Sequence, residues 1–439
     1  MGKGSNAAPA AGNTVTKLDD TEVLIDGRLY DVSSFKHPGG SIIKFLTGNG
    51  DATEAYREFH MRSASADKML ASLPSRAAPS DVLSRREGNG KTSLSEDYAA
   101  LRKQLEEEGF FEPSMTECVY RTSEIIAMHL LGAYIFMTNE SMGMKALGLV
   151  VLGLAQGRCG WLMHEGGHYS MTGHIPTDRV LQVAIYGIGC GMSGAWWRNQ
   201  HNKHHATPQK LQHDVDLDTL PLVAFNEACI DKVRSPILKT WLRFQGALFI
   251  PVSCLLVALG WQFYLHPRHI ARSITSKRNA ARGADKRAMG EAAALATRYA
   301  LLFGGVFSGL TWGQSWGCYL FYNFIGAAYI FTNFSLSHTH LPVSKPDEYL
   351  HWVEYSAIHT TNISPNFLCN WWMAYLNFQI EHHLFPSMPQ FRHPIVSPRV
   401  RALFEKHGMR YDERPYFSCL WETLMNLHNV GAAAQKKTA

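Results

Sequence analysis

Apolar residues are unevenly distributed along the chain. They concentrate between about residues 119 and 335 and leave both ends polar, the profile of a membrane-embedded centre with soluble flanks. Four runs in that region, 119–138, 144–163, 296–313 and 316–335, are long enough to cross a bilayer as tilted helices. The pattern before them is different. Residues 22–32 alternate apolar and polar around Asp26-Gly27, which predicts a β-hairpin. Residues 73–97 turn to Pro, Ser, Arg, Gly and Asn, an exposed linker, and 97–112 read as a charged amphipathic helix lying on a membrane surface.

The first two apolar runs, joined around Asn139, form a hairpin that returns the chain to its starting side, with Arg121 and Glu124 near an interface. His164 therefore emerges on that side, and so does His201 if the Gly-rich stretch 180–195 lies in the interface or inside protein. A further apolar stretch, 247–265, is followed by seven Lys or Arg between Arg268 and Arg287 against one acid, Asp285. Such a loop belongs in the cytosol. With both flanks cytosolic, 247–265 does not cross once, and we read it as re-entrant or interfacial. A topology in which 247–265 and one later run cross would serve parity equally well.

The chain has 439 residues, more than one domain usually holds. A net charge of +5 without basic runs interleaved with aromatics excludes a nucleic-acid-binding role. Eight Cys in no C-x-x-C pairing, without a secretory leader, indicate reduced thiols on a cytosolic face. Residues 1–17 read as a disordered tail, where Gly2 is followed by Asn6 in the place a myristoylation motif reserves for Ser or Thr. Residues 431–439 read as a second tail.

Candidate chemistry begins at His37-Pro38-Gly39-Gly40. Alone this is a turn. Phe59-His60 lies 23 positions after His37, and two His on short facing helices can supply both axial ligands of a haem. Hairpin, HPGG and Phe-His together resemble the cytochrome b5 family over residues 20–76. The resemblance implies haem b held by His37 and His60.

Three more histidine clusters follow: His164 and His168; His201, His204 and His205; and Gln379, His382 and His383. At i, i+3 and i+4 the middle trio can converge on one side of a helix. The clusters contain no Cys, which disfavours a thiolate site, and more than four convergent His exceed one tetrahedral zinc, so two metals are implied. Iron can use electrons from a fused haem domain, whereas zinc cannot.

A cytochrome b5-like N-terminal domain with H-x-x-x-H, H-x-x-H-H and Q-x-x-H-H resembles the front-end fatty acyl desaturases over residues 20–430, with Gln379 the most specific mark. The resemblance implies a non-haem di-iron centre with His164, His168, His201, His204, His205, His382 and His383 as ligands and Gln379 as a ligand or its neighbour. His338 is the favoured extra ligand, ahead of His340 and His359, and Asn333 can hold a metal-bound water. Asp214, Asp216 and Glu165 are candidates to orient ligand N–H groups. His174, His213 and His351 receive no role. Trp196, Trp197, Trp371, Trp372 and Tyr375 either line an acyl tunnel or anchor at the interface.

The expected protein is an α+β cytochrome b5-like domain (18–76) and a linker (77–96) fused to an all-α integral membrane desaturase domain (97–430). That domain has about four transmembrane helices under a cytosolic cap of His boxes. An unactivated methylene must lose hydrogen atoms rather than protons, so the expected reaction is O2-dependent front-end desaturation of a polyunsaturated acyl chain, delta-5 first and delta-6 second, in the microbial or algal manner. The implied partners are the lipid bilayer, an acyl-CoA or phospholipid-bound acyl substrate, and NADH acting through cytochrome b5 reductase, at the endoplasmic reticulum. The alternatives are a sphingoid-base desaturase or fatty-acid hydroxylase, and, in another class, a non-enzymatic membrane carrier of haem or metal.

Overall fold

The computed structural model describes residues 20–436 apart from 49, 81, 83–90, 232 and 277–282. The N-terminal tail with its Gly2 motif, most of the linker and part of the basic loop lie outside the described residues.

The predicted hairpin forms from β1 (Glu22–Ile25) and β2 (Arg28–Asp31), with Leu24 opposite Leu29. Asp26 and Gly27 both adopt left-handed φ, 49° and 71°, the backbone that a two-residue hairpin turn requires. β3 (Ser75–Ala77) pairs with the other edge of β2, and Ala78 packs on Leu24 and Leu29. The sheet pairing thus continues to Ala77. The polar Ser75-Arg76 carries no alternation to announce a strand, because the open edge of β2 recruits it. Opposite the sheet stands helix α1 (Thr53–His60), whose first free N–H, that of Thr53, donates to Asp51 (2.9 Å).

Helix α2 (Lys91–Glu107) starts inside the expected linker. Helices α3 (Met115–Thr138) and α4 (Met142–Gly167) then form the antiparallel hairpin. They approach closely at Gly132 and Gly148, where an added Cβ would meet the partner backbone at 2.9 and 2.7 Å, the small-residue contact typical of membrane helices. Two charges of α3 are paired: Arg121 bonds Glu165, and Glu124 accepts from Arg158 (2.5 Å) and Trp371 (2.7 Å). Val119, Ile126, Leu130, Leu131 and Met137 are exposed, a surface suited to lipid.

After helix α5 (Gly194–Ala206) comes α6, an unbroken helix over Gln245–Thr275 that accommodates Pro251 and passes through a π-helical segment, Leu256–Leu265. The re-entrant form expected for 247–265 is therefore replaced by a straight-through helix. Pro251 and Gly260 stand apart within it and form no turn pair at which the chain would reverse. Its first residue, Gln245, is bonded to Ala224 and Leu427, and His266 farther along accepts from the Ser193 N–H. Met142–Gly167 and Gln245–Thr275 are the two described helices long and apolar enough to cross a membrane. The run expected at 296–313 belongs to helix α7 (Ala284–Tyr299) and its π-helical continuation Ala300–Val306. The last expected run forms α8 (Trp312–Ser335). The C-terminal helix Tyr416–Lys436 runs into the expected tail, with Ala434 buried against Leu242 and Ile230.

The haem-type domain is docked onto the rest of the protein. One apolar core joins its Ala55, Leu46 and Phe59 to Tyr98 and Leu105 of α2 and to Trp352, Ile380, Leu384 and Phe385. At its centre Glu58 is fully buried, accepting from Arg102 (2.6 Å) and Tyr98 (3.1 Å), while Tyr98 also donates to the Leu384 carbonyl (2.8 Å). Removing Glu58 takes a buried charged acceptor from Arg102 and Tyr98, a loss of about 1.5–3 kcal/mol, while Arg102 keeps Glu106 (2.7 Å). Glu58→Ala is thus expected to lower the thermal midpoint of the detergent-solubilised protein by several degrees; an unchanged midpoint would mean the pair does not hold the domains together.

Candidate metal centre

Each histidine cluster sits where a helix places it. His164 occupies the last turn of α4 and His168 is its C-cap residue, with ring centroids 4.8 Å apart. α5 carries the middle trio. Its N-cap Ser193 accepts from Trp196, and Glu291 of α7 receives the Ser193 hydroxyl (2.7 Å) and the Ala195 N–H (2.8 Å). A carboxylate at a helix N-terminus satisfies free donors and complements the helix dipole, so α7 fixes where α5 begins. His382 and His383 lie on the short helix α9 (Gln379–Leu384).

The rings converge in two groups. His164, His168, His201, His205 and His382 bring five nitrogens within 4.8 Å of one another, and His204, His338 and His383 form a second group of three. The middle trio thus divides instead of converging on one side. His201 and His205, four apart, share a face, while His204 is turned about 100° from its neighbour and serves the other group. His382 and His383 divide the same way. Each His-His pair therefore supplies one ring to each group, and the stack of His205 on His383 (4.1 Å between centroids, 14° between planes) joins them.

The donor spacing tests what these groups can hold. Nε2 of His205 lies 3.0 Å from Nε2 of His201 and 2.9 Å from that of His382. Two nitrogens bound at about 2.1 Å to one metal stand about 3.0 Å apart at a right angle and about 3.4 Å apart at the tetrahedral angle. The spacing suits a metal with more than four ligands, such as iron. Burial first, and repulsion between neighbouring rings second, push His201, His205, His382 and His383 well below the ordinary histidine pKa. They are neutral, with lone pairs free to bind. At His204 burial pulls the same way, but the carboxylates of Asp214 and Asp216 outweigh it and raise the ring to about 9. Metal binding there must displace a proton.

The neighbouring candidates separate. Nδ1 of His338 lies 2.9 Å from the His359 carbonyl, and donation there leaves Nε2 to face the group of three. His340 is turned toward Thr423 (3.5 Å) and Glu422 (3.6 Å), and the His359 ring bonds the Pro342 carbonyl (2.9 Å); neither belongs to a group. Asn333 donates to Tyr329 (2.7 Å) and accepts from Tyr416 (3.1 Å). Gln379 is buried, and among the described residues its amide bonds none of the eight imidazoles. Asp214 accepts from His204 Nδ1 (2.9 Å) and Asp216 lies 3.4 Å away. Glu165 bonds Arg121 and the Gln390 N–H (3.1 Å), not a histidine of either group.

The Gln390 amide, 2.9 Å from Nδ1 of His164, takes the orienting place assigned to Glu165. His393, buried 6.0 Å from the His382 ring, is also part of the surroundings. No spacing in the sequence announced either residue. Of the expected tunnel aromatics Trp197 stacks on His201 (4.3 Å), whereas Trp196 packs on His266, Trp371 covers Arg158, and Trp372 packs on Tyr329. Tyr375 contributes its left-handed φ of 67° to the bend before α9.

His37 and His60 face each other with ring centroids 5.9 Å apart and planes at 86°. Nitrogens on opposite sides of one metal at about 2 Å stand about 4 Å apart, and this separation fits a shared metal. His60 Nδ1 lies 2.9 Å from the Tyr56 carbonyl, so its donation there leaves Nε2 free to ligate. His37 accepts the Gly39 N–H at Nδ1 (3.1 Å), so its far nitrogen would release a proton on binding. A Cβ at Gly39 would come within 2.8 Å of the His37 ring, which is why the turn needs glycine. The pair fits a haem.

Asp214→Asn weakens the acceptor that orients His204. Such partners govern about 10–100-fold in metal affinity, so this variant is expected to lose metal from the group of three first, seen as iron content falling from two per chain toward one during chelator dialysis. Equal loss from both groups would contradict the assignment.

Comparison with known proteins now bears on these groups. Residues 143–415 match the fatty acid desaturase family and residues 13–76 the cytochrome b5-like haem/steroid binding domain family. The chain is 54% identical to an acyl-lipid (8-3)-desaturase of Rebecca salina over 99% of this chain and 98% of the relative. It is 49% identical to the enzyme of the same name from Thraustochytrium sp, over 98% of each. Fatty acid desaturase 3 of Homo sapiens is 28% identical over 94% of this chain and 90% of its own. The chain belongs to the fatty acid desaturases, as a front-end acyl-lipid desaturase, an oxidoreductase with a cytochrome b5-like domain at its N-terminal end.

Proposed function

We propose that this enzyme uses O2 to place a double bond between an existing one and the carboxyl end of a polyunsaturated acyl chain, delta-5 first and delta-6 second. The supporting observation is the division of eight neutral or displaceable imidazoles into five and three, joined by the His205–His383 stack. His164, His168, His201, His205 and His382 hold one iron, and His204, His338 and His383 hold the other. When bound, the irons supply the one-electron oxidising chemistry that an unactivated methylene requires. The protein's own part is to hold the rings rigidly through Asp214, Gln390 and the His359 carbonyl, and to keep water away by burial.

His37 and His60 hold haem b, which receives electrons from NADH through cytochrome b5 reductase. Fusion and docking keep this donor at high effective concentration. The substrate reading follows the names of the relatives, an acyl chain carried on lipid ahead of one carried on CoA. The cytosolic face of the endoplasmic reticulum suits the basic loop after Arg268 and the gathering of all three His boxes at one end of the bundle, with α4 and α6, the two described helices long and apolar enough to cross, among about four spanning helices. A carrier of haem or metal would place its histidines inside spans, whereas these groups lie at helix ends; a hydroxylase or sphingoid-base desaturase is separated by product.

His204→Ala is expected to abolish desaturation and leave the haem spectrum intact, and His60→Ala to abolish the bis-histidine spectrum while iron remains bound. Full activity in the first variant would refute the metal assignment. In methylene-interrupted chains the new bond lies three carbons nearer the carboxyl, so yeast expressing the chain is fed acids whose first double bond is at carbon 8 or carbon 9. Mass spectrometry is expected to find products unsaturated at carbon 5, with carbon 6 as the second reading; a hydroxylated or sphingoid product would overturn both.

A further inference from the structure

We infer that His213 couples the haem domain electronically to the three-histidine group, a role that rests on the di-iron reading above. The HPGG loop leads directly into a 3-10 turn, Gly40–Phe45, and this segment lies against α5: a Cβ on Gly40 would be 3.6 Å from the Asn199 amide oxygen, two residues before His201. At the end of that turn Phe45 stacks flat on His213, with 4.7 Å between centroids and 4° between planes. His213 precedes Asp214, whose carboxylate holds Nδ1 of His204 at 2.9 Å. Phe45, His213, Asp214 and His204 thus form a contiguous run from the haem-binding segment to one metal group.

Parallel stacking at contact distance is an attractive aromatic geometry, and here it joins residues 168 positions apart in neither hydrophobic core. The His213 Nδ1 is buried with no hydrogen-bond partner, so no polar contact of that nitrogen explains the ring. A second aromatic contact crosses the boundary, Phe59 edge-on to Trp352 at 5.9 Å, and Trp352 donates to the carbonyl of Leu384 (3.2 Å), the residue after His383, without a hydrogen bond to a ligand ring. The His213 run ends on Nδ1 of a ligand ring, through the Asp214 carboxylate. Hydrogen bonds of that kind tune a bound metal directly. In the step assigned, ferrous haem becomes ferric and the ferric iron at His204, His338 and His383 becomes ferrous; one electron moves and no bond is made or broken.

The test follows reoxidation of the ferrous haem band by stopped flow in the full-length holoenzyme with O2 and acyl substrate. His213→Leu is expected to slow reoxidation roughly tenfold, with haem spectrum and iron content unchanged. His213→Phe, which keeps a flat ring, is expected to stay within about twofold of the native rate. Amide exchange at residues 40–45 reports docking, and a slowed His213→Leu protein with native exchange there separates coupling from loss of the interface. Native rates in His213→Leu, or slowing in Trp352→Leu alone, would overturn the inference. If the unaltered protein reoxidises no faster than His204→Ala, the di-iron reading fails instead.

Discussion

Eight imidazoles packed with their lone pairs facing one another are a constraint that the rest of the molecule must meet. Buried polar atoms need partners, yet Nε2 of His168 and Nδ1 of His205, His382 and His383 have none among the described residues. Burial keeps His201, His205, His382 and His383 uncharged, so these rings avoid the cost of buried like charges and remain open to cations. The surrounding bonds position the rings without occupying their metal-facing nitrogens: His338 against the His359 carbonyl, His164 against Gln390, His204 against Asp214. Each such bond narrows where the opposite nitrogen points.

That constraint also explains the distant supports. α5 must start at a defined point for His201 and His205 to face α4, and Glu291, 96 residues away from Ala195, caps it there. Arg121 and Glu165 neutralise each other beside the last turn of α4. The haem domain is held by the same region it serves, since Tyr98 bonds both Glu58 of that domain and the backbone of Leu384, the residue after His383. The haem-type domain and the histidine-bearing region therefore share one core and do not rely on the linker for their relative placement.

The histidine boxes were legible because i, i+3 and i+4 spacings are local properties of a helix. Their division was not, although the same helix geometry contains it: whether His204 joins His201 or opposes it depends on which neighbours arrive on each face. His338 could be favoured over His340 from its position after α8, but only packing turns His340 to Glu422 and Thr423. Gln390 and His393 follow box three without a motif, and His213 looked idle until Phe45 met it. The segment 247–265 shows the same limit from the other side, where apolar composition suited a membrane but did not decide whether the chain would reverse.

The sequence by itself determined the local items: the Asp26-Gly27 hairpin, the paired histidines of a haem-type domain, the apolar runs, and three boxes whose residue types admit iron and exclude thiolate chemistry. Those follow from backbone periodicity and side-chain chemistry over a few residues. The tertiary structure decided what required contacts across hundreds of residues: five rings against three, Asp214 and Gln390 as the residues that orient them, the seat of the haem domain, and the course of α6. Periodicity specifies which face a side chain occupies. Only packing specifies what that face meets.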